Sequence, residues 1–74
     1  MIAPSKYVNT KNSLLGQSTA LLAVRQDGTT VSELWDKVRE AGTEMSYERF
    51  ILCLDFLYAV GLVEIQGGTL SWHR

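Results

Sequence analysis

At 74 residues the chain has room for one domain, and a domain of that size buries only roughly 60% of the surface its unfolded chain exposes, so its stability usually rests on a disulfide, a metal or a partner. One cysteine, Cys53, and one histidine, His73, exclude a disulfide within the chain and a zinc site of paired cysteines; a partner or self-association remains, and no cofactor is expected. The formal net charge is −1, with Lys6, Lys11, Arg25, Lys37, Arg39, Arg49 and Arg74 scattered singly. That pattern disfavours autonomous nucleic-acid binding, and the longest apolar run is too short for a membrane span and is broken by Asp55, so a cytoplasmic protein is the default.

Residues 1–12 contain the only proline, Pro4, and are polar apart from Ile2, Tyr7 and Val8. They read as an extended N-terminal arm, suited to lying on a partner, ahead of a domain over residues 13–74. From Ser13 the pattern turns helical: Leu14, Ser18, Leu21 and Leu22 share a side and Asp27-Gly28 is a stop, which predicts a first helix over 14–26. Gly16 costs about 1 kcal/mol against Ala inside a helix, which favours a later start of the regular helix, at Gln17 or Ser18. Thr29 and Thr30 are β-prone and predict a very short strand.

Thr30 and Glu33 have the Thr-x-x-Glu spacing of a capping box and open a second helix, over 32–41. Val31, Leu34, Trp35 and Val38 recur at i, i+3, i+4 and i+7 as its core stripe, while Glu33, Asp36, Lys37 and Glu40 take the wet side and Ala41-Gly42 ends it. After Thr43 to Met45, Ser46 is an N-cap with Glu48 in the first turn of a third helix, over 47–60, and Gly61 stands where a left-handed residue closes it. Leu62 to Ile65 and Thr69 to Trp72 then alternate around Gln66-Gly67-Gly68, which predicts a hairpin over 62–72. Three helices and a terminal hairpin, in this order, are those of a winged helix-turn-helix domain, mainly α.

The third helix organises the rest, because from Phe50 to Val60 its only charged side chain is Asp55. A helix apolar on all sides must be buried on all sides, and the other elements of so short a chain cover one. Phe50, Cys53, Leu54 and Leu57, flanked by Tyr58 and Val60, form the stripe that faces the first two helices, with Cys53 a small buried hydrophobe. Opposite them Glu48, Leu52, Asp55, Phe56 and Ala59 form a second stripe, and Leu52, Asp55, Phe56 and Ala59 are the expected centre of a partner-binding surface. In a DNA-reading winged helix this side enters the major groove, where Arg, Lys, Asn, Gln or Ser is wanted; two acids repel phosphate, so the pattern points to a protein partner.

Two alternatives stand beside this reading. A slightly different roll of the helix tucks Phe56 under the wing and leaves Leu52 and Asp55 outside, as an acidic spot on a monomer. Alternatively the chain is a small transcription regulator that binds DNA as a winged-helix dimer, with Lys37, Arg39 and Arg49 as its contacts. An enzyme is not expected: Ser71 and His73 point to the same side of an edge strand with no cleft, and His73 reads as a solvated residue at a frayed terminus.

The run Phe50-Ile-Leu-Cys-Leu-Asp-Phe-Leu-Tyr-Ala-Val-Gly-Leu-Val, preceded by Thr30-Val-Ser-Glu-Leu-Trp and followed by a short hairpin, resembles the small middle components of bacterial ABC three-component systems, the type-six group. The likeness spans about Ser13 to Leu70, and the residues before Ser13 add nothing to it. It implies a subunit without catalysis of its own, acting beside an ABC- or SMC-like ATPase and a nuclease-like effector in defence against phage or plasmids. It also implies that DNA is met only through the complex, with no membrane partner. The family supplies no catalytic residue to carry over.

Overall fold

Helix α1 (Leu14–Ala23), helix α2 (Val31–Glu40), helix α3 (Tyr47–Ala59) and an antiparallel hairpin of β1 (Val63–Gln66) and β2 (Thr69–Trp72) follow one another in the computed structural model, which describes residues 14–73. The expected arm over residues 1–12 lies outside the described residues, as does Arg74. No helix among the described residues is long and apolar enough to cross a membrane.

The α1 helix is already formed at Leu14, so Gly16 lies inside it and does not delay its start. The Ser18 hydroxyl donates to the Leu14 carbonyl at 2.7 Å, and Thr19 likewise to Gly16, so both hydroxyls are satisfied within the helix. Ser18 is fully buried, and α1 packs chiefly on α3; tertiary burial outweighs the propensity cost of one glycine. The helix ends earlier than the expected residue 26. The Val24 and Arg25 amides reach back only three residues, to the Leu21 and Leu22 carbonyls, a tightening last turn, and the Arg25 guanidinium also takes the Leu22 carbonyl at 2.8 Å.

The capping box at the start of α2 is complete: Thr30 Oγ1 accepts from the Glu33 amide, and the Glu33 carboxylate accepts from the Thr30 amide at 2.8 Å. Because Thr30 is committed to the helix, the expected strand at Thr29 and Thr30 does not form. In its place the Gly28 amide donates to the Leu70 carbonyl at 2.9 Å and the Leu70 amide to the Thr29 carbonyl at 2.8 Å, so the linker runs along the outer side of β2. Both α2 and α3 end on a glycine in the left-handed region, Gly42 at φ +84° and Gly61 at φ +84°. At Gly61 the amide of the next residue, Leu62, returns to the Leu57 carbonyl at 2.9 Å and that of Gly61 to Tyr58, the pair of bonds that closes a Schellman motif and turns the chain into β1.

The core draws on every element: Leu21 from α1, Leu34 and Val38 from α2, Phe50, Cys53, Leu54 and Leu57 from α3, and Val63, Leu70 and Trp72 from the hairpin. Trp35 stacks at 5.0 Å from Phe50 and edge-on at 5.4 Å from Tyr47, joining α2 to the start of α3. Gly67 and Gly68 supply the two positive φ values that a type I′ turn requires, and they set the register Val63↔Trp72, Glu64↔Ser71, Ile65↔Leu70, Gln66↔Thr69.

Candidate partner-binding face of the third helix

Ser46 starts α3 by accepting from the Arg49 amide, and the buried arc Phe50, Cys53, Leu54, Leu57 then fixes the roll of the helix. Glu48, Leu52, Asp55 and Ala59 all lie on its exposed side, and Leu52 keeps 48% of its surface accessible. Phe56 is half-buried and packs against the core, at the border of this face. Three of the four expected contact residues are therefore open to solvent, with the fourth at their edge.

Asp55 has no hydrogen-bond or ion-pair partner among the described residues. The one cation on α3, Arg49, turns away from this face and bonds Gln17 on α1. Of the other candidate phosphate contacts, Arg39 pairs with Asp36 and lies over the Trp35 ring at 5.3 Å. Arg49 is thus engaged with α1 and Arg39 within α2, and the exposed charges of α3 itself are Glu48 and Asp55.

The open surface extends further than the helical pattern indicates. Tyr58 and Val60, expected to flank the core stripe, are 58% and 52% exposed. A groove of about 220 Å³ lies between α3 and the hairpin, lined by Leu54, Asp55 and Tyr58 on one side and Val63, Ile65 and Leu70 on the other. Ile65 shares the inner face of the hairpin with the buried Val63, Leu70 and Trp72, yet it is 54% exposed, at the mouth of this groove.

A second concavity, of about 330 Å³, opens between the end of α1 and β2 along Leu22, Arg25, Gln26, Asp27 and Trp72. Its charged groups are engaged in holding the fold. Asp27 Oδ1 accepts from the Trp72 amide at 2.7 Å, and Arg25 is bound to the Leu22 carbonyl. Ser71 and His73 line neither concavity. They sit on the outer face of the hairpin around Glu64, with His73 Nε2 at 3.5 Å from Glu64 Oε1. His73 is solvated but not frayed: its amide donates to the Leu62 carbonyl at 2.8 Å and continues the ladder.

The family model of the ABC-three component (ABC-3C) system Middle Component 6 matches residues 3–71, so the likeness begins well before Ser13 and takes in most of the N-terminal segment. No curated protein and no solved structure gives a significant match.

Proposed function

Because the chain belongs to the Middle Component 6 family of ABC-three component systems, we propose that it is a non-catalytic accessory subunit that docks on an ABC- or SMC-like ATPase and links it to an effector. The setting of that complex is defence against phage or plasmids. A middle component of a multi-component system has partner subunits, and the docking surface is the outward face of α3, with Leu52, Asp55, Phe56 and Ala59 at its centre. The domain is a winged helix in which the linker at Gly28 and Thr29 takes the place of the first strand beside β2. DNA is met only through the assembled complex.

The observation that supports this most directly is an exposed Leu52 beside an Asp55 that no group meets among the described residues, both on the outward face of α3. Leu52 keeps 48% of its surface exposed, so burying the remainder at an interface is worth roughly half of the 1.5–3 kcal/mol of a fully exposed leucine. Asp55 is costly to bury unless a donor meets it, so the partner brings an Arg, a Lys or a backbone amide to that point. The test is co-purification of the chain with the ATPase of its system. Leu52→Ala and Asp55→Ala alter exposed positions and leave the core intact, and each is expected to weaken association by about 2 kcal/mol if it is a hot spot. If both variants remain folded and co-purify at wild-type yield, the α3 face is not the interface.

A further inference from the structure

The hairpin has one closed side and one open side. In the observed register the outward amide and carbonyl of Leu70 are taken by Thr29 and Gly28, and the amide of Trp72 by Asp27, so the outer side of β2 is covered by the α1–α2 linker. The same alternation turns the amides and carbonyls of Val63 and Ile65 away from β2, and among the described residues nothing meets them. Exposed edges of this kind are usually protected by a proline, a lysine, a bulge or a covering element. Here β1 is short, four residues reading Val-Glu-Ile-Gln with Glu64 as its one charge, but it carries no proline, lysine or bulge, and Ile65 is exposed beside Tyr58.

We propose that β1 is a docking edge, which pairs with an extended segment from another component of the system. This rests on the reading of the chain as an accessory subunit and names a second contact for it. Backbone bonds to Val63 and Ile65 hold the incoming strand, and the pleat drops its alternate side chains into the groove over Tyr58 and Asp55. The chemistry of that segment follows from the walls. Leu54, Tyr58, Val63 and Ile65 select apolar side chains at alternate positions. Asp55 in the groove selects Lys or Arg, since no lysine or arginine lines it; Glu64 lies on the opposite face of β1, where His73 and Gln66 meet its carboxylate. Charge disfavours a second copy of this chain as the occupant, because an antiparallel β1–β1 pairing centred on Glu64 sets that carboxylate against its own copy.

The experiment uses the full chain, free and co-purified with the ATPase and with the effector of its system, and reads backbone amide exchange residue by residue. In one of the two complexes the Val63 and Ile65 amides should exchange more than about tenfold more slowly than in the free chain. The variant Ile65→Pro removes an amide that points away from β2 and so leaves the hairpin ladder complete; it should stay folded and lose that complex. A complex that forms while both amides exchange as in the free chain overturns the docking edge and leaves the α3 face standing. A complex that tolerates Leu52→Ala but protects both amides supports the edge and removes the α3 face, whereas Asp55→Ala, which touches both surfaces, should weaken association through either. Protection in the free chain that rises with concentration, with the mass of a dimer, overturns the assignment in favour of self-pairing. Failure of the wild-type chain to associate with either component overturns both readings.

Discussion

Removal of the Asp27 side chain tests how the hairpin is fastened to the helices. Asp27 Oδ1 accepts from the Trp72 amide at 2.7 Å, across a sequence separation of 45 residues, while Trp72 is only 9% exposed. In Asp27→Ala that amide is left without its acceptor beside a buried indole. Hydrogen bonds to charged groups contribute about 1.5–3 kcal/mol, and because Asp27 is itself exposed the lower figure of about 1.5 kcal/mol applies. For a domain of this size that corresponds to a fall in Tm of roughly 6–12 °C. Asp27→Asn keeps an acceptor at the same reach and should lose less than half as much. Urea unfolding of the three proteins, followed by tryptophan fluorescence, measures the differences, and exchange of the Trp72 amide reports the bond directly. If Asp27→Ala unfolds within about 0.5 kcal/mol of wild type, or if Asp27→Asn is as damaging as Asp27→Ala, the carboxylate does not fasten the hairpin.

Phe50→Ala empties the centre of the core and should cost about 3–5 kcal/mol, enough to leave little folded protein by circular dichroism at 37 °C. Ser18→Ala removes a hydroxyl already bonded within its own helix and should change stability by less than about 1 kcal/mol, whereas Ser18→Leu overpacks the buried site and should cost about 1–3 kcal/mol; equal urea midpoints for the two would refute that account. Among the described residues no acceptor meets the buried Trp72 Nε1, so Trp72→Phe should cost far less than Trp72→Ala, for which about 3–5 kcal/mol is expected; equal losses on thermal unfolding would show that the indole N–H is satisfied. The isolated chain should bind duplex DNA only weakly and with strong salt dependence, and a sub-micromolar Kd at physiological salt, lost on Arg49→Ala, would instead favour a DNA-binding regulator.

The elements were legible because their signals are local. The Thr30 and Glu33 capping box, Ser46 at the start of α3, Gly61 at its end and the Gly67-Gly68 turn each act within a few residues of themselves, and each stands where its chemistry requires. The 3.6-residue period of Phe50, Cys53, Leu54 and Leu57 likewise fixed which side of α3 is buried and which side carries Leu52, Asp55 and Ala59. What the period leaves open is any residue at the border of a face, where a small roll decides between core and solvent. Phe56 came down half-buried, and Tyr58 and Val60 came down exposed.

Contacts between distant parts of the chain had no local signal at all. The Arg49 guanidinium is withdrawn from the open face by Gln17, 32 positions away, and Asp27 reaches Trp72 across 45. A period of two identifies Val63 and Ile65 as one face of a strand, but only their packing separates them. Val63 is 1% exposed, in the core, whereas Ile65 on the same face is 54% exposed at the groove beside Tyr58. The open outer edge of β1 has the same origin: the side of β2 that receives the linker is set by where α1 ends relative to the hairpin, a distance that exists only once the helices have packed.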